Sequence, residues 1–367
     1  MGWSSQERSQ LRNVSVQQGR DRYCLRRRSG AGVQDRLIPK SLTGRERREE
    51  QYMIIDAHVH VYDEGWIPKA FMRGLGQVVA ANMARPTGEY PDADALVAGA
   101  TEQLKDPTGE LLIADMDEAG VDVSVIFPVD YALGASEPCS GDSECVPIAE
   151  QNRIFSEIAK RHKKRLVHFV AVDPRRRDAV AQLERGVTEQ GARGLKLHPT
   201  AGFYPDDPAC YPLYRKAQEL GAIVLFHTGT QPGPMKAKYS RPVFVDSVAA
   251  DFPDLKIIMA HVGHCWWEEA LALAGSKWNL YVDFSGWQRA FPAHADKFYR
   301  MLRSALDEIG PWRVMYGTDN PYLKLMMPSK NYIAAVRDAV NRKDHSFSKE
   351  ELDIIMGGAA ARLLKLD

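Results

Sequence analysis

The sequence lacks the features that define membrane-spanning and disulfide-stabilised proteins. It has no apolar run long enough to cross a bilayer, and its five cysteines fit no disulfide or zinc-finger framework. Only Cys139 and Cys145 lie close together, and these two could cross-link under oxidation. Reduced thiols in a cytoplasmic protein are the default expectation for such a set. A Gly-x-Ser-x-Gly elbow and a phosphate-binding loop are also missing, so neither competes for the chemistry.

Net charge is absent as well, with 48 basic and 48 acidic side chains, but their distribution is uneven. Residues 1–52 carry twelve basic groups, eleven of them arginine, and six acidic groups, which leaves 36 basic and 42 acidic groups for residues 53–367. The first segment has few large aliphatic residues and no apolar period, so we predict a disordered basic extension. Interleaved acids and scarce aromatics make it a poor nucleic-acid-binding arm. We expect neither nucleic acid nor a membrane as a partner.

The purine-rich codons of Glu49 and Glu50 lie where a bacterial ribosome-binding sequence would precede an initiator. Met53 is therefore a candidate for the natural start, and residues 1–52 would then lie upstream of it.

From residue 53 onward, short apolar runs rich in β-branched residues alternate with amphipathic segments. The predicted strands are residues 53–57, 121–127, 166–172, 194–197, 223–226, 256–260, 280–284 and 313–316. The predicted helices include residues 148–162, 177–189, 211–220, 241–251, 266–273 and 297–309. This alternation indicates a parallel sheet covered by helices. Eight such units match an α/β fold of the (β/α)8 TIM barrel type, with one domain over residues 53–367.

Two other features of the fold remain open at this point. An open doubly wound sheet is the alternative architecture, although no Gly-x-Gly-x-x-Gly turn follows the first strand. Residues 65–110, rich in proline, glycine and alanine, form an insertion between the first two strands. We expect this insertion to be a lid or an interface, and an interface there would fit a homodimer.

Metal-ligand side chains concentrate at the predicted carboxyl ends of the strands, where barrel enzymes hold their active sites. His58 and His60 end the first strand at a spacing that directs both to one face. This pair alone could be two hydrogen-bonded polar residues. The other strand ends add Lys196 and His198 on the fourth, His227 on the fifth, His261 on the sixth and Asp319 on the eighth. The repetition favours a functional site.

Imidazole and carboxylate ligands suit zinc, manganese or iron. His58, His60, His227 and Asp319 could hold one ion and leave a position for water or substrate. Such an ion would lower the pKa of bound water from ~15.7 to about 7. His261 is the natural general base or acid, and Asp319 could also accept a proton.

Five short motifs follow one another along the chain: IDAHVH (55–60), KLHP (196–199), HTG (227–229), HVG (261–263) and GTD (317–319). Together they resemble the amidohydrolase superfamily, and within it the amidohydrolase-2 group that includes aminocarboxymuconate-semialdehyde decarboxylase. The resemblance implies a distorted (β/α)8 barrel. It also implies that His58, His60, His227 and Asp319 bind the metal and that His261 is the catalytic histidine beside it. His264 stands where the family frequently has glycine.

The resemblance leaves the role of Lys196 open. In binuclear amidohydrolases a fourth-strand lysine is carboxylated and bridges two metals, whereas the decarboxylase-like group has one metal. With one metal, Lys196 would bind a substrate carboxylate or phosphate-like anion as a point charge. A buried lysine paired with an acid is a third explanation. We favour a single divalent ion, zinc in the first place and manganese as the alternative.

The candidate substrate-binding residues are Lys196, His198, Trp287 and Arg289. Trp287 could stack on a flat ring, and Arg289, like Arg241 or Lys238, could pair with a carboxylate. Equally, Trp287 could only wall the pocket, and basic loop residues are usually solvated.

The sequence thus predicts a metal-dependent hydrolase that cleaves an amide, lactone or ester in a small carboxylated or cyclic substrate. The alternative is non-oxidative decarboxylation of an aromatic or unsaturated acid at the same metal site. A non-catalytic binding protein is a third class, and the complete ligand set argues against it.

Overall fold

The apolar runs form eight strands in a computed structural model that describes residues 53–131, 133–134 and 145–366. The predictions for residues 1–52 and for Cys139 lie outside the described residues. The strands are β1 Ile55–Val59, β2 Val123–Ile126, β3 Leu166–Ala171, β4 Gly194–Leu197, β5 Ile223–Phe226, β6 Ile257–Met259, β7 Leu280–Asp283 and β8 Val314–Met315.

Each strand pairs in parallel with the next one along the chain, in the order β1 to β8. Backbone hydrogen bonds then join β8 to β1, from Ala57 N to Tyr316 O at 2.9 Å and from Asp319 N to His58 O at 2.8 Å. The sheet therefore closes on itself, and the predicted (β/α)8 barrel is confirmed.

Twelve α-helices occur within the described residues. They are α1 Lys69–Met83, α2 Ala93–Leu104, α3 Glu110–Ala119, α4 Ile148–Arg161, α5 Ala179–Thr188, α6 Tyr211–Leu220, α7 Val243–Asp251, α8 Trp267–Ser276, α9 Phe291–Ile309, α10 Ser329–Arg337, α11 Lys349–Asp353 and α12 Ala359–Leu364. The largest difference from the sequence prediction is α9, where a short turn that contains Pro292 precedes the predicted helix and is separated from it by a kink at His294, with φ −145° and ψ 49°.

Two layers of apolar side chains hold the barrel together. Inside it, residues such as Val125, Phe169 and Leu225 form one cluster, which also includes Ala359 and Leu364 of α12. The C-terminal segment therefore packs against the barrel's own interior cluster. A second, larger cluster fills the space between the outer faces of the strands and the helices. Strands buried on both faces explain the continuous apolar runs of the sequence.

The inserted segment forms the helices α1 and α2. Phe71 of α1 stacks on Tyr131 of the loop after β2, with ring centroids 4.7 Å apart. Gly74 meets the loop after β5 so closely that a Cβ there would lie 1.9 Å from the Gly233 carbonyl oxygen. The insertion thus packs on two loops of the catalytic end of the barrel. No helix of the described residues has the length and apolar character needed to span a membrane.

Candidate metal centre

Three predicted ligands converge at the carboxyl end of the barrel. Asp319 Oδ1 lies 3.5 Å from His58 Nε2 and 3.4 Å from His60 Nε2. Ligands about 2.1 Å from a tetrahedral ion lie roughly 3.4 Å from one another. The separations therefore fit one small divalent ion held between these side chains.

The other ring nitrogen of each first-strand histidine has a partner that fixes the tautomer. His58 Nδ1 lies 3.0 Å from Asp283 Oδ2, and His60 Nδ1 lies 3.2 Å from the Phe127 carbonyl oxygen. A carboxylate and a carbonyl can only accept, so both Nδ1 atoms carry the proton. Both Nε2 atoms then keep the lone pair that a metal requires.

The same reasoning extends to His261 and His227. His261 Nδ1 donates to the Ser285 carbonyl oxygen at 3.1 Å, which leaves His261 Nε2 as an acceptor. That atom lies 3.1 Å from His227 Nδ1, so His227 donates to it. The remaining nitrogen, His227 Nε2, is buried and has no hydrogen-bond partner. His227 does not belong to the groups of side chains whose ligand atoms lie within 4.8 Å of one another in the described residues, so its role as a fourth ligand stays a prediction.

Burial keeps these imidazoles neutral. It lowers the pKa of His227 well below 6.5 and the pKa of His261 to about 3. Asp283 behaves differently. Burial alone would raise the pKa of its carboxyl, but His58 and the hydrogen bond from Ser285 lower it below its ordinary value. Neutral histidines and an ionised carboxylate form a suitable environment for a cation.

Two of the site residues have left-handed backbone conformations where their strands end. The φ angle is 60° at His261 and 59° at Asp319. Such angles are uncommon outside glycine and cluster at functional sites. Asp56 supports the second of these turns, because its carboxylate accepts from the Thr318 amide at 3.0 Å and the Thr318 hydroxyl at 2.6 Å.

Comparison with known protein families matches residues 55–366 to the Amidohydrolase family. This chain belongs to that family. The amidohydrolase is therefore an enzyme of this superfamily, and His58, His60 and Asp319 lie close enough together to hold a divalent metal ion. A comparison with curated protein sequences gives no match.

Solved structures with the same fold include decarboxylases and a hydrolase. The 5-carboxyvanillate decarboxylase of Sphingomonas paucimobilis is 18% identical, with a TM-score of 0.59 over 86% of this chain and 100% of that one. A dihydroxybenzoic acid decarboxylase of Polaromonas sp. JS666, with bound manganese and 2-nitroresorcinol, is 20% identical, with a TM-score of 0.59 over 86% and 97%. A probable 2-pyrone-4,6-dicarboxylic acid hydrolase of Acinetobacter baumannii is 15% identical, with a TM-score of 0.56 over 85% and 99%. At these identities the likeness shows the fold.

Lys196 lies beside the candidate metal ligands of the amidohydrolase. Its ammonium nitrogen is 3.4 Å from His58 Nε2 and 4.9 Å from the centroid of the Phe127 ring. The side chain is buried, and no carboxylate of the described residues lies within ion-pair distance of it. Burial lowers its pKa to about 8. The charges of Asp283 and Asp319 oppose the effect of burial on this pKa, so a buried lysine balanced by these acids stays one of the three explanations.

His198 packs against the ligand set. Its ring is stacked on that of His227, with centroids 4.1 Å apart and planes 14° apart. The Tyr131 hydroxyl lies 3.1 Å from its Nε2, and the Thr200 hydroxyl lies 2.6 Å from its Nδ1. His198 thus links the insertion, through Tyr131, to His227.

Trp287 and Arg289 lie in the loop after β7, and their side chains have different surroundings. Trp287 is buried, and its indole N–H donates to the His261 carbonyl oxygen at 2.8 Å, so it packs beside the backbone of His261. Arg289 reaches the mouth of the site. The point where a Gly286 Cβ would lie is 3.3 Å from His261 Nδ1, 3.5 Å from Arg289 Nη2 and 3.8 Å from Asp319 Oδ2. Glycine at position 286 leaves that space free.

The other basic candidates are engaged elsewhere. Arg241 forms an ion pair with Glu269 at 2.8 Å, and the ammonium group of Lys238 lies 4.7 Å from the centroid of the Tyr239 ring.

Three further residues of the site were not predicted from the sequence. Asp283 holds His58, Ser285 orients His261, and Gln231 lies 3.4 Å from His227 Nδ1. Asp283 had a detectable signal, since a single acid ends the apolar run of β7. Ser285 contacts His261 Nδ1 through its carbonyl oxygen at 3.1 Å and its hydroxyl oxygen at 2.8 Å, and no sequence pattern reveals these contacts.

Proposed function

We propose that this amidohydrolase is a non-oxidative decarboxylase of an aromatic or unsaturated carboxylic acid and that it uses one divalent metal ion. The observation that carries the proposal is the position of two cations, Lys196 and Arg289, beside the metal ligands. Neither has an acidic partner within ion-pair distance among the described residues. Cations of this kind suit a substrate that carries a carboxylate. Two of the three compared structures are named as decarboxylases, which supports the same choice.

The metal would be held by His58, His60, His227 and Asp319 and would supply Lewis-acid polarisation of a substrate oxygen. Arg289 binds the substrate's acidic group at the mouth. Phe127 and Trp287, both buried, form apolar walls that exclude water from the reacting carbon.

In this proposal the proton passes from solvent to Asp319, whose side chain is 21% exposed on the open side of the site, and His261 beside it assists the transfer as general acid or base. The proton adds to the carbon that bears the carboxylate. The bond from that carbon to the carboxylate then breaks, its electron pair restores the conjugated system, and carbon dioxide leaves. One proton is consumed for each carbon dioxide released, and no oxidant is needed.

We propose manganese as the working ion. The His/Asp ligand set accepts either manganese or zinc, and the Polaromonas decarboxylase structure contains manganese. Zinc, the first choice from the sequence, remains the alternative. Its presence as the sole ion in protein purified without added metal would decide against manganese.

Manganese-loaded protein should be assayed with a panel of hydroxybenzoic and unsaturated acids in heavy water. We expect labelled carbon dioxide from a carboxyl-¹³C substrate and one deuterium at the carbon that loses it. His58→Ala should abolish both signals, whereas His345→Ala, a variant of a partly exposed histidine outside the site, should not. A product that gains the mass of water without release of carbon dioxide would instead establish hydrolysis.

Hydrolysis of a cyclic ester stays as the second candidate because the fold is shared with the probable 2-pyrone-4,6-dicarboxylic acid hydrolase. The lone pair on His261 Nε2 could serve as the general base in such a hydrolysis.

A cytoplasmic location and a homodimer through the insertion also remain proposals. Size-exclusion chromatography with light scattering tests the homodimer.

A further inference from the structure

A cavity of about 590 Å³ lies at the amino end of the barrel, opposite the candidate metal centre. Residues at the starts of three strands line it, because Ile223 begins β5, Lys256 precedes β6 and Arg313 precedes β8. His227 follows Ile223 by four residues, which at ~3.3 Å per residue corresponds to about 13 Å along the strand direction. The cavity has the size typical of small-molecule sites and is separate from the candidate metal centre.

Aromatic rings form part of the wall of this cavity. Trp278 and Trp312 both line it, and they are 60% and 41% exposed. Such exposure is unusual, because tryptophan is highly buried on average. Tyr281 of β7 lines the same cavity and is only partly buried. These rings offer flat apolar surfaces on which a planar ligand can stack.

The cavity also holds an excess of positive charge. Its basic side chains are Lys256, Arg313, Arg362 and Lys365. One acidic side chain, Asp254, lines it as well. The Lys256 ammonium nitrogen lies 3.5 Å from the centroid of the Trp278 ring, and Arg362 Cζ lies 5.2 Å from that of Trp312. Within the described part of the chain, no carboxylate lies within ion-pair distance of any of the four basic groups.

This charge is local to the cavity. Residues 53–367 hold 42 acidic and 36 basic side chains, so an average patch of their surface carries a slight excess of acids. Four basic groups against one acidic group leave an excess of three positive charges beside the aromatic rings. Such a combination suits an anion that carries a flat ring, and the size of the excess favours a dianion over a monocarboxylate.

Two polar groups of the wall have unused hydrogen-bonding capacity. Arg313 Nη1 donates to the carbonyl oxygens of Ala274 at 2.7 Å and Lys277 at 3.0 Å, which fixes the guanidinium. Its Nη2 has no acceptor among the described residues. Gln218 Oε1 is buried and has no donor among them, although buried acceptors are normally paired. The wall thus provides a fixed donor for an acidic group and an acceptor for a ring amino group.

We propose that this cavity is a second ligand site, which binds a planar aromatic compound with a dianionic group, of the chemical class of a purine mononucleotide. The ring stacks on Trp278, the dianionic group pairs with Arg362 and its basic neighbours, and an amino group of the ring donates to Gln218. The inference concerns binding at the amino end of the barrel. It holds whichever reaction the metal centre performs.

The test is calorimetric titration of the full-length, manganese-loaded enzyme with adenosine 5′-monophosphate (AMP), adenosine and inorganic phosphate at low ionic strength. We expect AMP to bind at least about tenfold more tightly than adenosine, and this preference to shrink as salt is added. Phosphate alone should bind more weakly than AMP, because it has no ring to stack. His58→Ala, which removes a candidate metal ligand at the opposite end of the barrel, should bind AMP as tightly as the wild type.

Variants of the cavity should separate the contribution of the rings from that of the charges. Trp278→Leu should weaken AMP and adenosine alike by at least about fivefold, as expected for loss of a stacked base. Arg362→Gln should weaken AMP and leave adenosine unchanged. Arg342→Gln is the matched control, because Arg342 also lies over an aromatic ring, 4.4 Å from the centroid of Tyr299, but is paired with Asp344 at 2.6 Å. It should change neither affinity.

Three results would overturn the inference. The first is equal affinity of the wild-type enzyme for AMP and adenosine. The second is loss of AMP binding in His58→Ala, which would place the nucleotide at the metal centre. The third is unchanged AMP affinity in both Trp278→Leu and Arg362→Gln.

Discussion

His58 Nδ1 lies 3.0 Å from Asp283 Oδ2, and both side chains are buried. The two residues are 225 positions apart in the sequence. Asp283 also accepts from the His261 amide at 3.1 Å and from the Ser285 hydroxyl at 2.5 Å. One carboxylate therefore orients the ring of His58 and helps to position His261.

Asp283→Asn should weaken metal binding without unfolding the barrel. The amide can keep a hydrogen bond to His58, but it loses the negative charge that makes the ring a strong ligand. Loss of such an outer partner typically costs about 10–100-fold in metal affinity. Equilibrium dialysis with elemental analysis measures the effect, and Asp254→Asn on the surface is the control. Unchanged affinity in Asp283→Asn would remove the role given to this residue.

Variants of His227 and His261 should have different effects on metal content and turnover, although the two side chains are in contact. His227→Ala removes a ligand, so it should lower bound metal and activity together. His261→Gln should retain the metal and lower kcat about 100-fold or more, as expected for a general acid or base. Metal content and turnover measured on the same samples test this. Metal loss in both variants would make His261 a ligand instead.

Removal of the metal should destabilise the protein. An ion bound at 100 times its Kd adds about 2.7 kcal/mol to the free energy of unfolding. We expect the Tm to fall by about 4 °C in a chelator, and differential scanning calorimetry measures it. His58→Ala is the control, since it should unfold at the same temperature with and without chelator. A chelator effect of equal size in that variant would indicate an ion bound elsewhere.

Tyr131→Phe should destabilise the loop that joins the insertion to the metal centre. The variant removes the hydroxyl that lies 3.1 Å from His198 Nε2, and both groups are buried. Loss of a buried hydrogen bond of this kind costs about 1–3 kcal/mol. Urea unfolding measures the cost, and Tyr90→Phe, at a residue that is 73% exposed, should show none. Equal stability of the two variants would mean that the Tyr131 bond contributes nothing.

His168 should make stability fall in mild acid. It is buried on β3, away from the metal ligands, and burial lowers its pKa to about 4. In the unfolded chain the pKa of this histidine is about 6.5. Between pH 6.5 and about pH 4 the unfolded state therefore binds more protons than the folded state, and lowering the pH stabilises it relative to the folded state. Between pH 7.5 and pH 5 this lowers the free energy of unfolding by about 2 kcal/mol.

His168→Leu should lose that contribution, so its stability relative to wild type should improve between pH 7.5 and pH 5. Urea unfolding at both values tests the sign, with His345→Leu as the control. An identical pH dependence of wild type and His168→Leu would show that another group is responsible.

The barrel was predictable because its signals are local. Strands buried on both faces give continuous apolar runs, and all eight predicted runs became strands. The first strand shows the limit of this reasoning. It was predicted over residues 53–57 but extends over Ile55–Val59, because pairing with β2 continues to Val59. Such pairing depends on a neighbour more than sixty residues away, which local pattern does not report.

The sequence by itself determined which side chains stand at the ends of the strands, since strand period and strand position follow from neighbouring residues. It therefore placed His58, His60, His227, His261 and Asp319 on one end of the barrel. Only the tertiary structure decided what each imidazole does, because a tautomer depends on the group that faces the second nitrogen. Those groups are Asp283, the Phe127 carbonyl and the Ser285 carbonyl, each brought from another strand by closure of the barrel.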